Sequence, residues 1–326
     1  MNPLETSIFQ IHTEDDFLTN ALNIFRFQSQ YNPVYRQFLN YLKVQPEQVG
    51  QLEDIPFLPI EFFKSYQVTS ASPPFDTVFK SSGTTGMQRS HHYVKSLKLY
   101  EQSFFKGFKY FYGDITQYAV LALLPSYVEQ GHSSLVYMVD QLIKRSTHPA
   151  SGFYLNDRKL PHILNELQQQ KQKTILIGVS YALLDLVEKY QFNLEQTIVM
   201  ETGGMKGRRK ELLREELHHY LKAGFGVENI HSEYGMTELL SQAYSKGDGV
   251  FKSPPWQKIM IRDTEDPLSY LPYKKTGGIN VVDLANIYSC SFIATQDLGR
   301  QHPDGSFEIL GRFDHSDVRG CNLMVV

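Results

Sequence analysis

The chain has 326 residues, 41% hydrophobic and 21% charged, enough for a large buried core in one big domain or two. Its formal net charge of −3, with no long basic run, gives no case for nucleic acid as a partner. The start MNPLETSIFQ has neither a basic nor an apolar leader region, no apolar run is long enough to span a membrane, and two cysteines make no disulfide framework, so a cytoplasmic setting is expected.

Residues 1–80 read as a largely helical lead-in. Phe27, Tyr31, Tyr35, Phe38 and Tyr41 recur every three or four residues, the spacing of an aromatic helix face turned to the core, and Pro33 divides the run. Pro56, Pro59 and Pro73-Pro74 then punctuate the approach to residue 81.

Residues 81–245 alternate strand-like and helix-like segments. Tyr118–Leu124 predicts a buried strand, Ser133–Arg145 a helix, Thr174–Val179 a strand and Tyr181–Tyr190 a helix. Gln196–Met200 predicts another strand, and Arg208–Leu221 a helix stopped near Gly224. This alternation predicts an α/β fold with a substantially parallel sheet, its ligand held by loops 125–132, 202–206 and 232–238 at the carboxyl ends of strands. Residues 246–310 change character. Gly278–Leu284, Ser291–Ala294 and Phe307–Leu310 are short strands, and Asp304-Gly305 reads as a hairpin turn, so a smaller antiparallel subdomain is expected before a tail over 311–326.

The chemistry concentrates in five pieces. Ser81-Ser82-Gly83-Thr84-Thr85-Gly86 alternates hydroxyls with glycines, which suits close approach of backbone N–H groups to a polyphosphate, or simply a solvated loop. It is not a Walker loop, because Met87-Gln88 stands where Lys-Ser or Lys-Thr would be needed. The others are Gly203-Gly204-Met205, Tyr234-Gly235-Met236-Thr237-Glu238, Thr295–Arg300 with Asp297 and Gly299, and Gly311-Arg312-Phe313-Asp314 with Arg319-Gly320. Each has a plain structural reading: Asp297 can cap a turn, Arg312 can make a surface ion pair, Tyr234 can be core. His91-His92, His218-His219 and His231 lack metal-ligand spacing with cysteine and read as surface or loop residues.

In this order and at these separations the pieces resemble the acyl-adenylate-forming superfamily. In detail the chain is similar to its acyl-protein synthetase (LuxE-like) branch, in Phe25–Tyr35, Asp54–Pro59 with Phe63-Lys64, Leu124–Tyr127 and Ser133–Met138. The resemblance implies the superfamily's N-terminal adenylating domain, with residues 81–326 as one unit lacking the usual mobile C-terminal domain of about a hundred residues. It implies ATP and Mg²⁺ as cofactors. Ser82, Gly83, Thr84, Thr85 and Gly86 would hold the β- and γ-phosphates, and Gly203, Gly204 and Met205 would border the adenine. Tyr234, followed by Gly235, would stack on the adenine ring, and Asp297 would take the ribose hydroxyls with Arg312 beside them. Thr237 would bond the α-phosphate, Glu238 would hold Mg²⁺, and His132 would line the acyl pocket.

Two departures stand out. Met87, Gln88, Arg89 and Ser90 replace the usual Pro-Lys continuation, so Arg89 would supply the positive charge. Cys321, two residues after Arg319, matches the branch's acyl carrier, while Cys290 reads as structural. The expected activity is ATP-dependent activation of a carboxylic acid, with a fatty acid expected, as acyl-AMP with release of pyrophosphate. Transfer to a thiol follows: that of a partner acyl reductase or carrier protein, or of coenzyme A if the chain is an AMP-forming acyl-CoA ligase. A non-catalytic nucleotide-binding scaffold is the alternative from another class, and pyrophosphate exchange separates the two.

Overall fold

The computed structural model describes residues 3–81, 88–126, 131–203 and 212–313. The lead-in folds as α1 (Pro3–Ser7), α2 (Glu14–Tyr31) and α3 (Pro33–Tyr41), then β1 (Leu58–Pro59), α4 (Phe62–Ser65) and a hairpin of β2 (Thr77–Lys80) and β3 (His91–Val94). Thr13 starts α2 through a capping box, its hydroxyl accepting from the Asp16 N–H at 3.1 Å while the Asp16 carboxylate accepts from the Thr13 N–H at 2.9 Å. Pro33 divides the helices as expected: it opens α3, where its missing N–H costs nothing, and Asn32 caps that helix by accepting from Val34 and Tyr35.

The aromatic stripe across this boundary is not uniformly core. Tyr35 is fully buried and donates to the Pro56 carbonyl, but Tyr31 and Tyr41 stand 54% and 77% exposed. Asn32 between the helices is extended, at φ −96° and ψ 105°, so one helical period cannot carry a single face through both.

The middle of the chain contributes α5 (Leu97–Tyr112), β4 (Ala119–Leu123), α6 (Ser134–Ser146), β5 (Gly152–Phe153), α7 (Leu160–Gln169), β6 (Thr174–Val179), α8 (Ser180–Val187), β7 (Thr197–Thr202), α9 (Arg214–Phe225) and β8 (Ile230–Tyr234). Every residue of β4 and β6 is buried, which explains their unbroken apolar character. The last part adds β9 (Ala243–Ser245), β10 (Val250–Lys252), β11 (Gln257–Arg262), β12 (Gly277–Asp283), β13 (Phe292–Gln301) and β14 (Phe307–Arg312).

Twelve strands form one sheet in the order β11-β12-β13-β14-β10-β9-β8-β7-β6-β4-β5, with β1 added parallel to β13. Strands β4 to β8 pair in parallel, and β9 to β14 pair with one another antiparallel. Antiparallel pairing of β8 with β9 joins the two parts. Register aligns Val179 with Thr202 and Thr202 with Glu233, so the ends of β6, β7 and β8 lie side by side. Strand β13 is longer than expected and runs on through Thr295–Arg300, which places Asp297 within a strand. The expected turn at Asp304-Gly305 connects β13 to β14, with Gly305 at φ +81°. No helix among the described residues is long and apolar enough to cross a membrane.

The helix expected to stop near Gly224 ends one residue later, at Phe225, with Gly226 in the left-handed conformation as its C-cap. Gly224 lies inside α9 for a packing reason: a Cβ there would sit 2.3 Å from the Val187 Cβ of α8. Alanine would gain up to about 1 kcal/mol of helix propensity, but overpacking costs about 1–3 kcal/mol, and a Cβ cannot rotate out of the way. Gly224→Ala should therefore lower the urea midpoint, by an amount equivalent to roughly 1–2 kcal/mol. A raised midpoint would mean that α8 and α9 slide apart freely.

Candidate active site

The carboxyl end of β8 meets the β13–β14 hairpin. Asp297 and Arg312 are direct cross-strand partners, and the Arg312 Nε donates to Asp297 Oδ1 at 2.9 Å. The Tyr234 hydroxyl, arriving from β8, donates to Asp297 Oδ2 at 2.8 Å. Asp297 is buried while Arg312 is largely exposed, so the carboxylate sits at the floor of this group and the guanidinium at its rim. A carboxylate offers about four acceptor positions, and these two donors use two. The Tyr234 ring is packed edge-on against Phe251 and Phe307, and burial together with the Asp297 charge holds its hydroxyl well above the usual pKa. Tyr234 is thus a core residue whose polar end belongs to the site.

Beside it, the turn after β8 is fastened from three sides. His92 of β3 contacts the Thr237 carbonyl through Nδ1 at 2.8 Å, and the Asn286 amide donates to the Glu238 carbonyl at 2.7 Å. The Asp283 carboxylate accepts from the N–H groups of Leu240 and Ser241 and from the Ser241 hydroxyl. Glu238 is itself buried. Desolvation raises its pKa, against the hydroxyl of Ser90 and the charges of Arg312 and Lys64, which lower it.

On the neighbouring strand, Gly203 directly follows β7 at φ +68°, and its carbonyl accepts from the Ser180 hydroxyl at 2.7 Å. The Thr202 hydroxyl donates to Glu233 at 2.6 Å. A Cβ at Gly235 would come within 2.5 Å of a Glu233 carboxylate oxygen, so a larger residue there would displace that side chain. The structure therefore gathers Tyr234 and Arg312 on Asp297, places Glu238 within reach of Arg312's charge, and sets Gly203 just past the end of the next strand. Arg89 and His132 are exposed, and the His132 carbonyl accepts from the Lys80 N–H at 2.8 Å. Ser82, Gly83, Thr84, Thr85, Gly86, Gly204, Met205 and Cys321 lie outside the described residues. Cys290 is fully buried, and desolvation pushes its thiol up to about 12, which suits a structural side chain. Among the described residues no three His, Cys, Asp or Glu side chains cluster to hold a metal by themselves.

The family model for acyl-protein synthetase, LuxE, matches residues 2–326. The chain belongs to that family. No curated protein sequence matches it. Among solved structures, this LuxE-family chain resembles 2-hydroxyisobutyryl-CoA ligase bound to 2-HIB-AMP and CoA, at TM-score 0.68 and 14% identity over 93% of this chain and 68% of the other. It also resembles ATP-bound MatB from Rhodopseudomonas palustris, at TM-score 0.55 and 19% identity over 86% of this chain and 58% of that one. It covers 47% of an ATP-bound RpMatB-BxBclM chimera, about half that protein's length, at TM-score 0.54 and 21% identity over 72% of this chain. The fold is that of the acyl-adenylate-forming superfamily.

Three histidines depart from the sequence expectation. His92 is buried, as is His218, and His231 is partly buried in β8, where its Nδ1 contacts the Tyr112 hydroxyl, so the surface or loop reading fails for these three. For His92 a signal existed: it alternates with Val94 on one face of β3, and both are buried.

Glu233 was also missed. Burial, opposed by the Thr202 hydroxyl and reinforced by the charge of Glu201, pushes its carboxyl up to about 7. The folded state then holds a proton that the unfolded state releases near 4.5, so this group removes stability as pH rises from about 4.5 to about 7. Glu233→Gln keeps an acceptor for Thr202 without the titration. It should match wild type at pH 4 and exceed it at pH 8 by at most about 3 kcal/mol, less where water reaches the group, in urea denaturation. A difference independent of pH would rule out the protonated carboxyl.

Proposed function

We propose that this chain is an ATP-dependent ligase that converts a carboxylic acid to acyl-AMP and then passes the acyl group to a thiol. The observation that carries the reading is Asp297, a buried carboxylate gripped by Tyr234 and Arg312 with acceptor positions left for a pair of hydroxyls, close to the buried carboxyl of Glu238. Family membership supports it, as does a fold shared with ATP-bound MatB and with 2-hydroxyisobutyryl-CoA ligase.

In this reading the ribose hydroxyls donate to Asp297, with Arg312 at the rim. Tyr234, Gly203, Gly204 and Met205 border the adenine. Ser82, Gly83, Thr84, Thr85 and Gly86 hold the β- and γ-phosphates, Arg89 adds positive charge, and Thr237 bonds the α-phosphate. Glu238 fits one magnesium ion, because Mg²⁺ is usually held by one or two carboxylates plus phosphate oxygens and water, and a cation would offset the burial that disfavours the Glu238 charge. Bound there, the ion would neutralise charge on the phosphates. An oxygen of the acid attacks the α-phosphorus, the bond to the bridging oxygen breaks, and pyrophosphate leaves. A thiolate then attacks the acyl carbon, and AMP departs with the electron pair on its phosphate oxygen.

A fatty acid is the preferred substrate. The apolar space between α5, α6 and the parallel strands, lined by Phe108, Val120, Met138, Leu142, Ile177 and Met200, is only about 10 Å³, so a chain would enter it only as these side chains move apart. Met200 is two residues before Thr202 on β7, and unbranched methionines can shift to admit a chain. His132 would stand at the pocket's approach. Cys321 is proposed as the first acceptor, followed by a partner acyl reductase or carrier protein, with coenzyme A as the competing acceptor.

Glu238→Gln should keep the fold and cut acid-dependent ATP–pyrophosphate exchange by roughly a hundredfold or more, the scale of losing one preorganised electrostatic contact. Exchange at the wild-type rate would remove Glu238 from the metal role, and no exchange by wild type with any acid would favour a non-catalytic nucleotide-binding protein. Cys321→Ser should still exchange pyrophosphate but show no hydroxylamine-labile acyl mass after incubation with ATP, Mg²⁺ and mixed fatty acids, because the two steps use different groups. Cys290→Ser should behave as wild type in both assays. Acyl transfer to coenzyme A with no acyl-enzyme at any stage would make the protein a coenzyme A ligase.

A further inference from the structure

We propose that His92 is a positioning residue, holding the Thr237–Glu238 turn in register with β3 by a hydrogen bond that one ring tautomer alone can make. The inference rests on the adenylation reading of that turn. His92 is 1% exposed, and its ring meets Phe63 edge-on at 5.8 Å between centroids. Nδ1 lies 2.8 Å from the Thr237 carbonyl oxygen. A carbonyl only accepts, so Nδ1 carries the proton. In the neutral ring Nε2 is then an acceptor, and the Ser289 hydroxyl 3.0 Å away donates to it. Burial lowers the His92 pKa to about 4, which keeps the ring neutral at working pH and the tautomer fixed by its two partners.

Packing alone does not explain this residue. An apolar side chain could fill the volume, but it would leave a buried hydroxyl and the Thr237 carbonyl without their partner, at a cost that buried polar groups rarely bear. The placement is also specific to Glu238. The carbonyl before that residue is held by His92 and its own carbonyl by Asn286, so both flanking peptides are fixed from different elements. Ser90, two residues before His92 and also buried, hydrogen-bonds the Glu238 carboxyl. Successive inward residues of this extended segment thus address first the side chain and then the backbone of the same turn.

The full-length protein serves for the test, as wild type, His92→Leu and His92→Asn. The asparagine amide can place a donor near the Nδ1 position, while both variants lose the ring's packing. Both should therefore melt lower by a similar amount. His92→Leu should cut kcat for ATP–pyrophosphate exchange by tenfold or more with the KM for the acid unchanged, and His92→Asn should recover most of that loss. Two readouts stand apart from activity. Ring ¹⁵N NMR should show a neutral His92 protonated at Nδ1 from pH 6 to 8. Hydrogen–deuterium exchange of residues 236–241 should quicken in His92→Leu and stay near wild type in His92→Asn. An Nε2–H tautomer, or equal effects of leucine and asparagine on exchange kinetics and on the 236–241 amides, would overturn the proposal. A wild type that exchanges no pyrophosphate with any acid would overturn the adenylation reading instead, leaving the tautomer and amide results to decide whether His92 fixes the turn.

Discussion

A buried carboxylate ties the antiparallel part of the sheet to the turn that follows β8. Asp283 ends β12 in the antiparallel part, yet it accepts from Leu240 N–H at 2.8 Å, Ser241 N–H at 2.9 Å and the Ser241 hydroxyl at 2.6 Å, all in the turn that follows β8. A fourth donor, the Ala285 N–H, holds its own strand end. Desolvation pushes the Asp283 pKa up, and these four donors pull it back. Such a group is stabilising only when fully satisfied, because a lost donor leaves buried charge uncompensated. The turn carrying Thr237 and Glu238 is therefore fixed to the end of β12 by these contacts.

Polar anchoring continues outward from there. The Gln28 amide donates to the carbonyls of Asn286 and Ile287, and its oxygen accepts from the Ser291 N–H. Asn32, besides capping α3, donates to the Ser289 carbonyl. Ser289 in turn contacts His92 through its hydroxyl. The segment from 283 to 291 is thus the common partner of the lead-in helices, the β2–β3 hairpin and the site turn. Helices α2 and α3 bury apolar side chains as any helix would, but amides at Gln28 and Asn32 give them one register against that segment. The lead-in helices thereby brace the segment that holds the site turn.

What could be read from sequence, and what could not, follows from the range of the interactions. Strands β4 and β6 are short apolar runs buried on both faces, and the left-handed cap at Gly226 is a local need of the backbone, so local pattern locates all three or misses by two residues. The pieces containing Tyr234, Asp297 and Arg312 were legible as a set because their order and types resemble a family. Their contact was not legible, since it depends on the pairing of β13 with β14 and on β9, β10 and β14 lying between β8 and β13. Asp283, Asn286 and Glu233 had no signal at all. A buried acid or amide looks like a loop residue until the donors that satisfy it are brought in from tens of residues away.

The same logic explains why the site stands where the strand direction changes. Parallel strands β6, β7 and β8 end side by side at one edge of the sheet. Beyond β8 the chain reverses into antiparallel pairing, and the β13–β14 hairpin can then present Asp297 and Arg312 from the opposite direction. A purely parallel continuation would have placed a helix after each strand and covered this edge. The reversal leaves room for a carboxylate and a guanidinium beside the end of β8, and Tyr234 spans the junction with its ring in the core and its hydroxyl on Asp297. Core packing and site geometry are therefore one constraint at Tyr234, because the stack of Phe251 and Phe307 that seats the ring also sets where its hydroxyl points.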